Sequence, residues 1–145
     1  MRVYIPGTVA ALAEYSSGAW EPTHGYGVTP RLLEISAHDD PEELAEQARD
    51  AAAIDSVLEL KSPRRVVMVV DYPRADVTPA PEEHPAAVHL VGRVMPDTIA
   101  CAFVDESEAA PHGVKAAKGD TDALGALAEH ELLWFDSSEL DLIEP

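Results

Sequence analysis

Residues 64–73, RRVVMVVDYP, contain an unbroken apolar run from Val66 to Val70. A short run of this kind, rich in β-branched side chains, is typical of a strand that is buried on both of its faces. Asp71 follows at once and, with the proline two residues later, suits a turn. We therefore predict a buried, central strand over the apolar run.

The residues before this strand carry the strongest helix signal in the chain. Asp40 is a good N-cap, Pro41 suits the first helical position, and Glu43 completes a capping box. Apolar side chains then recur every three or four residues, and we expect this stripe to face the core. The stripe consists of Leu44, Ala48, Ala51, Ile54 and Leu58. Pro63 ends the predicted helix.

The remaining segments alternate between strand and helix signals. The further predicted strands cover residues 1–6, 26–28, 86–95, 97–106 and 132–135. The further predicted helices cover residues 8–16, 30–37, 107–120 and 120–130. Residues 73–86 are rich in proline, so we expect a surface loop there.

Three predicted strands follow one another in the middle of the chain, so the order is not a strict alternation of strands and helices. We predict a single α+β domain over residues 1–145, with helices packed mainly on one face of a mixed sheet. A three-layer α/β sandwich is the alternative.

The chain is strongly acidic, with 27 Asp and Glu against 10 Lys and Arg and a net charge of −17. Nucleic acids and anionic membranes are poor partners for such a surface, whereas a basic protein or a cationic ligand is attracted. The basic residues cluster only at Lys61, Arg64 and Arg65. No secretory signal or membrane-spanning run is recognisable, so we expect a cytoplasmic protein.

Familiar catalytic and cofactor motifs are missing from the sequence. There is no GxGxxG, no Walker-type loop, no GxSxG, no CxxC and no HExxH. We therefore expect no cofactor. The single cysteine, Cys101, lies among apolar residues and is interpreted as a small buried hydrophobe.

Two kinds of residue are candidates for chemistry. His130 lies between Glu129 and Glu131, so it is either a general base oriented by a carboxylate or a histidine that stabilises a helix end. Asp71 follows one predicted strand, and Asp105, with Glu106, ends another. If these strands are parallel neighbours, the two carboxylates share one sheet edge and could bind a divalent cation. The alternative for Asp71 is a structural turn.

The segment WFDSSELDLIEP, residues 134–145, closes the chain. Trp134 and Phe135 are either packing groups of a final strand or the anchors of an interface with a second subunit.

The segments MRVYIPGT, GVTP, RRVVMVVDYP, AAVHLVGRV and above all HELLWF resemble those of a small actinobacterial family of acidic, alanine-rich proteins. The resemblance extends over nearly the whole chain. It implies a cytoplasmic bacterial protein, and it assigns no activity and no catalytic residue. The chain departs from the family after Phe135, where the tail is more acidic.

Taken together, these features favour a non-catalytic binding protein whose partner is another protein or, as a homodimer, a second copy. The alternative is a small enzyme, or a protein that binds a ligand or divalent cation, using a cleft with Asp71, Asp105 and His130. The sequence does not decide whether the protein is an enzyme.

Overall fold

The computed structural model describes residues 1–37 and 39–144, so His38 and Pro145 of the predicted domain lie outside the described residues. The strands are β1 (Arg2–Gly7), β2 (His24–Tyr26), β3 (Val66–Asp71), β4 (Val77–Pro79), β5 (Ala87–Leu90), β6 (Ile99–Asp105) and β7 (Leu132–Asp136). The α-helices are α1 (Leu12–Tyr15), α2 (Pro30–Ile35), α3 (Pro41–Leu58), α4 (Ala110–Ala117) and α5 (Thr121–Ala128). Short 3-10 helices lie at Val9–Ala11, Arg74–Asp76, Pro96–Thr98, Ser107–Ala109 and Ser137–Leu142.

The strands form one open sheet in the order β4-β5-β2-β1-β3-β6-β7. β3 lies between β1 and β6, and its residues from Val66 to Val70 are at most 1 % exposed, as the apolar run predicts. The predicted single-domain α+β fold is therefore confirmed. Every strand pairing among the described residues is antiparallel, so the sheet is not mixed in strand direction.

Both faces of the sheet are covered, but by different kinds of element. On one face α3 lies across the sheet, where its Ala52 and Ala53 pack against Val67. α4 and α5 share a second apolar cluster with the end of α3. The other face holds the larger core, which is closed by α1 and by Leu140 and Ile143 near the chain end. The main helices thus lie on one face, as predicted.

α3 begins at Pro41, as the sequence predicts, but only the Asp40 half of the predicted capping box is present, and the helix turns a different side to the sheet. The Asp40 side chain accepts a hydrogen bond from the Glu43 backbone N–H at 2.9 Å. The buried apolar side chains of α3 are Leu44, Ala48, Ala52, Ala53 and Val57, whereas Ile54 of the predicted stripe is 43 % exposed. Small alanine side chains let the helix approach the sheet closely. This close packing, and not the spacing of the larger apolar residues, determines which side of α3 faces the sheet.

Two other expectations need correction. Residues 73–86 are not a loop throughout, because they contain a 3-10 helix and β4, which pairs with β5. The predicted helix over residues 8–16 is a 3-10 turn followed by the single turn of α1. None of the helices in the described part of the chain is long and apolar enough to cross a membrane.

Candidate functional site

β7 is the last strand on one side of the sheet, and its side chains are poorly covered. It pairs with β6 on one side, and no other strand of residues 1–37 and 39–144 pairs with its outer side. Leu133 and Trp134 are 44 % and 58 % exposed, while Phe135 is half-buried against the core. We call Leu132–Asp136, with its free outer side, the β7 edge.

The cover from α3 reaches only the start of β7, where Leu132 packs against the alanines of that helix. Trp134 lies opposite Phe103 of β6, and the Arg49 guanidinium of α3 lies 5.2 Å from the centre of the Phe103 ring. This cation–π contact covers Phe103. Trp134 itself is 58 % exposed, so its side chain extends beyond the cover.

Cys101 lies on β6 near this surface but is buried. Burial raises the pKa of its thiol, and a hydrogen bond from Trp134 opposes the shift without cancelling it. The thiol therefore stays protonated near neutral pH and is a poor nucleophile.

His130 lies between α5 and β7. Its Nδ1 is 3.0 Å from Oε1 of Glu106, and its ring centre lies 5.5 Å from that of His112. It lines a cavity of about 360 Å³ that also includes Glu129 and Glu131. A carboxylate bonded to one ring nitrogen fixes the orientation of the imidazole, which is an arrangement that general bases use.

Asp105 lies close to His130, but its carboxylate is hydrogen-bonded to Arg65. Its carboxylate accepts hydrogen bonds from the Arg65 backbone N–H at 2.8 Å, from Nε at 2.9 Å and from Nη2 at 2.8 Å. The same Nη2 also donates to the His130 carbonyl at 2.9 Å. Asp105 is 0 % exposed, so this ion pair is a buried clamp at the start of β7.

Asp71 lies at the opposite end of the sheet. Because β3 and β6 are antiparallel, their carboxyl ends point in opposite directions, and the parallel arrangement required for an Asp71–Asp105 cation site is not found. Asp71 instead pairs with Arg2 at 3.1 Å on the surface. Within the described residues, no three or more His, Cys, Asp or Glu side chains are placed to hold a metal ion.

The arginines of the basic cluster have structural roles that the sequence did not reveal. Arg64 is 8 % exposed, its Nε donates to the Asp105 carbonyl at 3.1 Å, and its Nη1 donates to the Glu144 carbonyl. Arg65 holds Asp105 through its backbone N–H and its guanidinium. Their partners are 40 or more positions away in the chain, so local sequence carried no signal for these contacts.

A second cavity, of about 330 Å³, lies between the end of α3 and the β2–β5 part of the sheet. Its lining includes His24, Tyr26, Asp55, Glu59 and Glu83. The Tyr26 hydroxyl donates to Asp55, and burial together with this carboxylate raises the pKa of the phenol. Sequence reasoning missed this cavity because it depends on the pairing of β2 with β5.

Comparison with known proteins gives a family and no activity. No curated protein and no solved structure is detectably similar to the chain. A family model matches residues 1–143, which is nearly the whole described length. The chain therefore belongs to DUF6912, a family of unknown function.

Proposed function

We propose that the protein acts without catalysis, by binding another protein at the β7 edge. The observation that carries the proposal is the unpaired outer side of a strand that exposes Leu133 and Trp134. The free backbone N–H and C=O groups of an edge strand can pair with an extended segment of a partner. The partner segment becomes the next strand of the sheet.

Trp134 is the expected anchor of this interaction, because tryptophan is enriched among the residues that dominate binding energy. Phe135 points toward the core and is half-buried there. Its ring therefore packs β7 against the core, and only its exposed part can contact the partner. Leu133 adds exposed apolar surface on the same face as Phe135.

The β7 edge is a rigid platform rather than part of a loose tail. The 3-10 helix that follows it begins with a capping box between Asp136 and Glu139. Leu140 and Ile143 are then buried in the core. A preorganised strand loses little conformational entropy when a partner docks, which favours affinity.

The substitution Trp134→Ser tests the proposal. Tagged wild-type and variant proteins are used to isolate a partner from the native host, and the purified partner is then titrated into each. We expect the variant to bind at least about 30-fold more weakly, as for a binding hot spot. Amide hydrogen exchange of the complex should show new protection in β7.

The control is Val114→Ser, because Val114 is also an exposed apolar side chain, at 44 %, but belongs to α4 and not to β7. It should leave binding unchanged. Full binding by Trp134→Ser, or protection that excludes β7, contradicts the proposal. Sedimentation at two concentrations identifies self-association, and a dimer that Trp134→Ser dissociates makes a second copy the partner.

A second candidate function is acid–base chemistry or ligand binding in the His130 cavity. It is favoured by one observation, the 3.0 Å contact between His130 Nδ1 and Glu106. Asp71, the other catalytic candidate from the sequence, does not lie there, since it pairs with Arg2 at the far end of β3.

Nitrogen NMR of the histidine rings during a screen of small esters, amides and amines tests this candidate. A ligand of the cavity should shift the His130 ring signals, and His130→Gln should remove its binding. His24→Gln is the control, because His24 lines the other cavity. A screen in which no compound perturbs the His130 ring rejects the candidate.

Location and origin are also proposals. We propose a cytoplasmic protein of actinobacterial origin in which HELLWF, ending at Phe135, is a mark of the family. The support is compositional, since alanine is abundant and arginine outnumbers lysine, as in proteins from GC-rich genomes.

A further inference from the structure

We infer that the segment that adds to the β7 edge comes from a different protein and has an apolar centre with basic residues at both ends. The inference rests on the proposed function and extends it to the chemistry of the partner. Its basis is the distribution of charge along and beside β7.

Acidic side chains lie on both sides of the uncharged centre of β7. Glu129 and Glu131 precede the strand and are exposed. Asp136 ends it, and Asp141 is exposed in the 3-10 helix that follows. Hydrogen bonds from Ser138 lower the pKa of Asp136, so its carboxylate stays ionised.

The arginines near these acids are paired with other carboxylates. Arg49, which lines the same cavity as Glu129 and Glu131, lies 3.2 Å from Asp50. Arg65 is held by the buried Asp105 at the start of β7. Arg2 is paired with Asp71 at the far end of β3. The acidic flanks of the β7 edge therefore present uncompensated negative charge, and lysine or arginine in a partner segment would meet it.

The centre of the strand has the opposite character. Leu133 and Trp134 are adjacent, so their side chains point to opposite faces of the sheet. An added strand places its own side chains beside them on both faces. The centre of the partner segment therefore needs apolar or β-branched residues at successive positions, with its charges confined to the ends.

A second copy of the chain fits this edge poorly. Antiparallel pairing of two β7 strands about a twofold axis brings the residues after β7 of one copy beside those before β7 of the other. Both flanks are acidic, so like charges approach each other. Each copy also carries a net charge of −17, which adds long-range repulsion.

Synthetic peptides test the inference on the full chain. Three peptides share a central run of alternating valine and threonine and differ only in their flanks, which are lysine, serine or glutamate pairs. Backbone NMR of β7 and the indole signal of Trp134 report binding. We expect the lysine peptide to bind at least about tenfold more tightly than the serine peptide at low salt, and the advantage to shrink at about 0.5 M salt.

Charge variants of the protein sharpen the test. The double substitution Glu129→Gln and Glu131→Gln should reduce the advantage of the lysine peptide several-fold. Glu82→Gln, an exposed glutamate beside β4 at the other edge of the sheet, should not change it.

The outcomes separate the two proposals. If no peptide perturbs β7, strand addition itself is wrong. If all three bind equally, or the glutamate peptide binds best, strand addition stands and the basic partner is wrong. A homodimer that Trp134→Ser dissociates also overturns the inference, because a second copy is then the occupant.

Discussion

The two outer strands of the sheet are built differently. β4 is a three-residue strand, Val77–Pro79, and it ends in a proline that cannot donate a backbone hydrogen bond. β7 has five residues, Leu132–Asp136, without proline, and it exposes Leu133 and Trp134. Short length and proline are common devices that keep edge strands from pairing with other chains.

This difference indicates that pairing is prevented at one edge and permitted at the other. An unprotected strand with exposed apolar side chains invites aggregation unless a partner covers it. The acidic residues that flank β7 and the net charge of −17 oppose pairing between copies while leaving the edge open to a basic segment. The contrast between β4 and β7 is therefore the basis of the proposed function.

The largest expected effect concerns the clamp that positions β7. Asp105→Ala leaves Arg65 almost buried without its counter-charge, so the free energy of unfolding should fall by about 3–5 kcal/mol. Urea denaturation measures the change. A loss below about 1 kcal/mol, the range of a surface pair, would show that the Arg65–Asp105 pair does not anchor the strand.

The next largest effect is expected when a charged side chain is placed on β7, because charged side chains keep natural edge strands from pairing. Leu133→Lys places a charge on the open edge, and partner binding should weaken by about 2 kcal/mol, or roughly 30-fold. Stability should change by no more than about 0.5 kcal/mol, since the side chain is at the surface. Thr78→Lys makes the same change on β4 and should leave binding intact, whereas equal losses from both variants would remove the distinction between the edges.

A smaller effect concerns the β4 side of the sheet and depends on pH. The Tyr72 hydroxyl donates to the Gly92 carbonyl at 3.2 Å. Burial raises the pKa of Tyr72 to about 12, above its value of about 10 in the unfolded chain. The resulting stability is fully present below about pH 10 and is lost as the pH rises through about 12.

Tyr72→Phe should cost about 1 kcal/mol near neutral pH through the lost hydrogen bond. The variant should also lose less stability than the wild type between about pH 10 and 12. Thermal melting followed by circular dichroism measures both quantities. Parallel curves for the two proteins across this window would show that Tyr72 does not carry the dependence.

The smallest effect is expected at Asp71, the surface counterpart of Asp105. Both aspartates end a strand and pair with an arginine, but the Asp71 side chain is 55 % exposed and that of Asp105 is 0 % exposed. Asp71→Ala should therefore cost less than about 1 kcal/mol, and added salt should reduce the difference further. A cost equal to that of Asp105→Ala would mean that burial does not decide the strength of these pairs.

The sequence correctly predicted elements whose position depends on neighbouring residues. The apolar run of β3 and the N-cap of α3 at Asp40 are determined by neighbouring residues, and both are where the sequence predicts them. β4 escaped prediction because it is three residues long and lies among prolines, which usually indicate a loop.

The β7 edge and the surroundings of His130 could not be predicted, because they depend on contacts between residues that are far apart in the chain. LLWF ending at Phe135 reads like the apolar run of β3, yet β3 is enclosed on both sides and β7 is an edge. Strand order, which depends on long-range contacts, makes that difference. The same holds for the separation of Asp71 from Asp105 and for the contact between His130 and Glu106, which is 24 positions away.

We propose that the β7 edge, and not β4, receives a partner. Amide hydrogen exchange of the full chain, with and without its isolated partner, distinguishes the two edges. We predict that exchange slows in Leu132–Asp136 and stays unchanged in Val77–Pro79. Unchanged exchange in β7, together with protection at β4 or around the His130 cavity, would contradict the account.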